Sequence, residues 1–283
     1  MRPYSSDAPP AVSAEAAGAR PARGAAGPLA FVRKTFVIAE LEVRKLRHDM
    51  TELLTRAVQP ALWLLVFGEV FTRTHAIPTG SLPYRDFMAP GILAQSVLFI
   101  SIFYGIAVIW ERDLGLVHKL LVSPTPRTAL VLGKGLSAGV RGLSQAVVIY
   151  ALALVLGVQI NWSPLALAGV VAAVLLGSAC FSTLSLIIAC LVKTRERFMG
   201  IGQLITMPLF FASNAIYPIE MMPGWLELVA RVNPLTYQVG ALRALMLADA
   251  AATPHLLLDF GVLAGTTAAL VVLAGWLYPT IAR

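Results

Sequence analysis

The chain has 283 residues, 58% of them hydrophobic and 13% charged, at a mean hydropathy of +0.76. That balance is too apolar and too poor in charge for an ordinary soluble domain, so the chain reads as an all-α polytopic membrane protein. The formal charge of +7, from 22 Lys and Arg against 15 Asp and Glu, would by itself admit a nucleic-acid partner. The placement of the cations along the chain decides against one.

Residues 1–28 are rich in Ala, Pro, Gly, Ser and Arg, with Pro9-Pro10 and the run Gly24 to Pro28, and predict a disordered tail. The first apolar run begins only after Arg56, so no cleavable leader is expected. The rest, 29–283, is expected to form one transmembrane domain. Over 31–54 the apolar residues Phe31, Phe36, Leu41, Leu46 and Leu53 alternate with Arg33, Lys34, Arg44, Lys45 and Arg47, which predicts an amphipathic helix lying in the headgroup region. A solvated basic helix that only fixes topology reads as well.

Six spans are predicted, over about 57–72, 87–110, 134–160, 164–192, 199–217 and 254–278. The first is short, with Gln59-Pro60 near its start and Glu69 near its end. Ser163-Pro164 supplies an N-cap and first-turn proline for the fourth, Pro208 lies in the fifth, and Thr253-Pro254 opens the sixth. Six spans put both termini on one side. The N-terminal region carries Arg33, Lys34, Arg44, Lys45, Arg47 and Arg56 among others, and the loops on that side add Arg112, Lys119, Arg127, Lys193, Arg195 and Arg197. The opposite side holds Arg73, Arg85, Arg231 and Arg243. The asymmetry predicts cytoplasmic termini, and the basic charge reports orientation, with no nucleic-acid partner implied.

Between the second and third spans, 111–123 predicts a short amphipathic helix. Leu114, Val117 and Leu121 recur at i, i+3 and i+7, while Arg112, Asp113 and Lys119 keep the segment out of the bilayer. Glu111 and Asp113 suit a helix start, and Ser123-Pro124 with Thr125-Pro126 end it. Such a stripe at the membrane surface points to a docking partner, and a solvated loop helix without one is the other reading. Between the fifth and sixth spans, 218–252 divides into two segments each too short to cross. Asn233-Pro234 restarts the helix, so a re-entrant outer hairpin is expected, with Trp225 and Tyr237 at the headgroups.

No catalytic constellation is visible. His48, His75, His118 and His255 are scattered, without a His-Glu-x-x-His, and no metal site is expected. Cys180 and Cys190 lie in one apolar run as packing residues. Glu69 and Asp86 stand beside Arg73 and Arg85, as salt-bridged loop residues would. Gly133-Lys134-Gly135 lacks the spacing of a phosphate loop, so the chain is expected to bind no nucleotide itself. Arg141 and Gln145, one turn apart on the third span, are candidates for a translocation path, and Arg141 could equally snorkel to the headgroups. Gln95, Gln203 and Asn214 read as polar glue between helices. Gly135-x-x-x-Gly139 and Gly261-x-x-x-Gly265 each permit close helix contact. A channel would want a polar stripe along several spans, and an ion-coupled carrier would want inverted repeats and mid-span acids; neither pattern is visible.

Glu111-Arg112-Asp113-Leu114-Gly115, followed by Leu120-Leu121-Val122-Ser123-Pro124-Thr125-Pro126-Arg127, resembles the cytosolic signature of ABC-2 type export permeases of the daunorubicin-resistance and nodulation-exporter kind. Asn233-Pro234-Leu235-Thr236-Tyr237 matches the same family's later pattern. Leu114 before Gly115, and Leu116 where that family often has Thr, are departures. The resemblance implies a bacterial inner-membrane exporter subunit without a cofactor of its own. It would work as a dimer with an identical or related permease, driven by two copies of a separate cytoplasmic ATPase that holds ATP and Mg. The cargo implied is an amphipathic drug, lipid or lipid-linked saccharide, with antibiotic resistance as one outcome. Segment 111–123 would then couple to the ATPase, and 218–252 would lie over the exit.

Overall fold

The computed structural model describes residues 58–74, 77–80, 82–114, 127–192, 194–248 and 255–277, without the side chains of 127–130 and 132. The tail 1–28, the basic helix 31–54, and Val117 and Leu121 of the predicted coupling helix lie outside the described residues. Apart from an isolated bridge between Ile160 and Leu247, the described secondary structure is helical. A helical run over 58–74 contains a π-helical stretch Trp63–Gly68 and ends as α1, Glu69–Thr74. Next in the chain come α2 Tyr84–Phe103, α3 Gly105–Asp113, α4 Arg127–Val155, α5 Pro164–Leu191, α6 Arg195–Phe211, a 3-10 turn Ile219–Met221, α7 Gly224–Val232, α8 Pro234–Met246 and α9 Leu256–Leu277.

Among the described residues four helical runs are long and apolar enough to cross a membrane: Tyr84–Asp113, Gly133–Val155, Pro164–Leu191 and Leu256–Leu277. The chain is therefore an all-α, multi-pass membrane protein with several apolar helices. Of the other two predicted spans, the run 58–74 is shorter. The fifth begins earlier than expected, at Arg195, and leaves the helix at Phe211, so that 212–217 is not regular helix.

The central helix is α2. It is buried on nearly every side, with Met88, Ile92, Leu93, Val97, Leu98 and Ile102 inaccessible, as expected of a helix enclosed by others. A ladder of rings ties the first helix to it. Trp63 stacks on Phe67 with centroids 4.5 Å apart, Phe71 meets the edge of Tyr84 at 5.3 Å, and Tyr84 stacks on Phe87 at 6.3 Å. Helix α5 starts as its sequence demands, with the Ser163 hydroxyl accepting from the Ala166 N–H at 3.2 Å and Pro164 in the first turn. It packs most extensively on α4. Gly135 and Gly139 allow this approach: a Cβ at Gly139 would lie 2.7 Å from a Leu175 methyl, while Gly261 and Gly265 face open space. Among the described residues the first small-residue motif is thus a packing device within the chain, and the second meets no neighbour. The outward faces are apolar, with Leu165, Val171, Leu257, Val272, Leu273 and Trp276 exposed, as suits surfaces facing lipid tails.

The segment 218–248 folds asymmetrically. Only Ala230 of α7 is buried, whereas α8 buries Leu235, Thr236, Gln238, Val239, Ala241, Leu242 and Met246 against α2, α5 and α9. Gln238 packs on Gly177, about 20 Å along α5 from Pro164, and Leu245 packs on Gly169, about 8 Å along it. The Asn161 and Ala248 amides then bond to Met246 and Gln159. So α8 starts deep among the helices and runs back to the end of the bundle where α4 and α5 join.

Candidate functional site

The proposed coupling residues stand at one end of the bundle, and their helix differs from expectation. Glu111, Arg112 and Asp113 form the last turn of α3, with Leu114 as C-cap, where the sequence predicts a helix start. Acids at a helix C-terminus oppose its dipole, and each finds a cation from another helix. Lys134 of α4 donates to the Glu111 carboxylate, and Arg195, the first residue of α6, donates to Asp113 Oδ2 at 2.9 Å. The Arg195 guanidinium also lies over the Trp110 ring, 4.7 Å from its centroid. Arg112 donates to the Val192 carbonyl at the end of α5 at 3.2 Å, and its Nε is 3.5 Å from Asp113. One helical turn is thereby fastened to α4, α5 and α6. Leu114 is exposed.

At the other end the acids are paired as predicted, Glu69 with Arg73 at 2.8 Å and Asp86 with Arg85 at 3.5 Å. Asp86, however, is buried in the first turn of α2, where an acid suits the dipole, and its Oδ2 accepts from the Gln159 N–H at 3.3 Å. It is a helix residue that docks the α4–α5 connection, and the loop assignment is corrected. Arg243, counted among the cations of the opposite side, stands on a helix of the predicted hairpin. It lies on α8, over the Phe87 ring at 3.7 Å, and donates to the carbonyls of Asn214 at 2.8 Å and Phe87 at 3.3 Å.

In the hairpin, the Asn233 side chain accepts from the Leu235 N–H at 3.0 Å, and Pro234 is the first residue of α8. The Tyr237 hydroxyl donates to the Arg231 carbonyl at 2.6 Å, and Trp225 projects outward. Between α6 and α7 lies an apolar groove of about 640 Å³ lined by residues such as Leu204, Pro208, Val229 and Val232.

Arg141 and Gln145, one turn apart on α4, have different surroundings. The Arg141 guanidinium lies over the Tyr104 ring at 5.4 Å, near the break between α2 and α3, while Gln145 lines a cavity shared with Gln59 and Gln95. The sequence reading missed the buried Gln238 and passed over Asp259, which faces Gly240 from the first turn of α9. An acid inside a run otherwise free of charge was the available signal. Among the described residues no three His, Cys, Asp or Glu side chains gather as a metal site. Both cysteines are buried and unpaired.

A family model described as ABC-2 type transporter matches residues 33–247. The chain is 27% identical over 217 residues to the ycf38 protein of Cyanophora paradoxa, covering 76% of this chain and 74% of that one. It is 25% identical over 230 residues to the daunorubicin resistance ABC transporter permease protein DrrB1 of Streptomyces coeruleorubidus, covering 81% and 79%. To the inner membrane transport permease YadH of Escherichia coli K12 it is 24% identical over 208 residues, covering 71% and 77%.

Proposed function

The chain belongs to the ABC-2 type transporter family and is a membrane permease component of an ABC-type transport system; from that premise we propose that it is the transmembrane half of an ATP-driven exporter whose ATPase is a separate cytoplasmic chain. The observation that carries this reading is the fastening of one helical turn to three others, Glu111 to Lys134, Arg112 to Val192 and Asp113 to Arg195. A push on the segment beyond Leu114 enters α3 and, through these contacts, reaches α4, α5 and α6 together. The stripe residues Leu114, Val117 and Leu121 form the docking face, and the charged residues Glu111, Arg112 and Asp113 pass the motion on. The sequence reading names the same six residues as coupling residues, with the apolar stripe as the side that docks.

The exported cargo is amphipathic: a drug, a lipid or a lipid-linked saccharide. The daunorubicin-resistance name of one relative supports the first class. Two ATPase copies serve two permease chains, and the exposed apolar residues of α6 and α7, among them Leu204, Leu228 and Val232, provide a face for the second permease. Both termini lie in the cytoplasm of a bacterium, with six spans crossing the inner membrane. The segment 218–252 is a re-entrant hairpin over the exit, with Trp225 at the headgroups, Asn233-Pro234 at its deep turn and Tyr237 beside that turn rather than at the headgroups. An ion-coupled carrier or channel without a motor is the alternative, and it gives no role to the fastened turn.

Co-purification tests the reading. An ATPase chain with a phosphate-binding loop, expressed from the neighbouring reading frame, is expected to copurify with this chain, and Leu114→Asp to weaken that association at least about tenfold, since burying an unpaired carboxylate in a contact costs about 2 kcal/mol or more. Unchanged association would remove Leu114 from the docking face, and ATP hydrolysis by the isolated chain would sink the permease assignment.

A further inference from the structure

A cavity of about 270 Å³ lies between the first helix, α2 and α4. Gln59 and Pro60 line one wall, Gln95 and Phe99 a second, and Gln145 a third. Gln145 is 1% exposed and Gln95 is 4% exposed. Neither the amide oxygen nor the amide nitrogen of Gln145 has a hydrogen-bond partner among the described residues. Buried polar groups are almost always satisfied, and an orphaned carboxamide inside an apolar bundle marks a place where a partner binds. The cavity holds the volume of about nine waters at about 30 Å³ each, room enough for one hexose-sized ring.

The lining chemistry narrows the partner. Among the described residues no charged side chain lines the cavity, and the nearby Arg141 guanidinium lies instead against Tyr104. A phosphate or carboxylate would therefore meet no cation. Carboxamides both donate and accept, which suits hydroxyl groups, and the ring of Phe99 offers a face for the C–H side of a sugar. Gln59 is exposed, and its neighbours Val58 and Leu62 are exposed apolar residues, so the opening is flanked by a surface facing lipid tails. We propose that this cavity binds the neutral polyhydroxyl head of an amphiphile whose alkyl chain stays in the lipid beside the first helix. The inference deepens the exporter reading by naming a cargo chemistry, and it rests on that reading only for the transport step after binding.

The test uses the full chain, purified without any ATPase, in phosphatidylcholine nanodiscs. The probe is an octyl glucoside carrying a diazirine at the chain, compared with a diazirine-bearing octyl phosphate. Saturable photolabelling by the glucoside, located by mass spectrometry at the lipid-side mouth on residues 58–62, is expected, at least about tenfold tighter than by the phosphate. Gln145→Leu and, from the other helix, Gln95→Leu should each weaken it about tenfold or more, with gel-filtration profiles unchanged. Equal labelling by both heads, label located elsewhere, or labelling indifferent to both variants would overturn the proposal, and the cavity would be a water-filled packing defect. Displacement by free glucose at millimolar concentration would overturn the amphiphile assignment. Since no motor is present, failure here leaves the coupling reading untouched, and loss of motor association leaves the photolabelling result standing.

Discussion

The Asn233 carboxamide nitrogen donates to the Leu209 carbonyl at 2.7 Å, bridging the start of α8 to the last turn of α6. The same nitrogen donates to the Ala212 carbonyl at 2.8 Å while its oxygen caps Leu235. One side chain therefore closes the ends of two helices. Because the proline at an N1 position needs no N–H, the two residues of the Asn233-Pro234 pair are unequal. Asn233→Ala is expected to cost about 2–3 kcal/mol, as a lost cap plus stranded carbonyls, and Pro234→Ala under about 1 kcal/mol. Thermal unfolding in detergent measures both. Equal effects would show that the bonds to α6 contribute nothing.

Close approach to backbone gives a second prediction. A Cβ at Gly91 would lie 2.2 Å from the Ala215 carbonyl oxygen, whereas one at Gly261 would meet nothing within 4 Å. Gly91→Ala should thus separate α2 from the 212–217 segment and destabilise by about 1–3 kcal/mol. Gly261→Ala should change stability by under about 1 kcal/mol. A Gly91→Ala protein as stable as the parent would mean that the segment shifts freely.

Orientation is tested by labelling whole cells with an impermeant thiol reagent, in a background with Cys180→Ala and Cys190→Ala. Thr125→Cys and Glu196→Cys are expected to be shielded and Ala251→Cys to react, because the loop cations favour the cytoplasm around the first two. Reaction at Thr125→Cys would invert the topology.

The long helices were legible because run length alone announces a span, as in Tyr84–Asp113 and Leu256–Leu277. Local capping was legible for the same reason: Ser163-Pro164 and Asn233-Pro234 act within one turn. What escaped was set by partners remote in sequence. Glu111 and Asp113 resemble a helix start until Lys134 and Arg195 arrive from other helices to neutralise them. The partners of Arg243, the Asn214 and Phe87 carbonyls, are equally remote in sequence. Likewise, spacing cannot say which of two Gly-x-x-x-Gly motifs faces a neighbour. The burial of α8 was missed because its length fixed only that it could not span, and its polar Gln238 gave no sign of lying inaccessible beside Gly177.

The claim that the end of α3 transmits force is tested most directly by exchanging the charges of Asp113 and Arg195. The two side chains are partly exposed, so the pair adds little stability, about 0–1 kcal/mol, and any large effect of breaking it is mechanical. Proteoliposomes containing the chain and its ATPase, supplied with a fluorescent amphiphile, give the amount moved per ATP hydrolysed. Asp113→Arg and Arg195→Asp alone are each expected to lower that ratio about tenfold with the ATPase still bound, and the double exchange to restore it to within about twofold, the signature of a coupled pair. Single variants that transport as the parent does, or a double variant no better than either single one, would contradict the account.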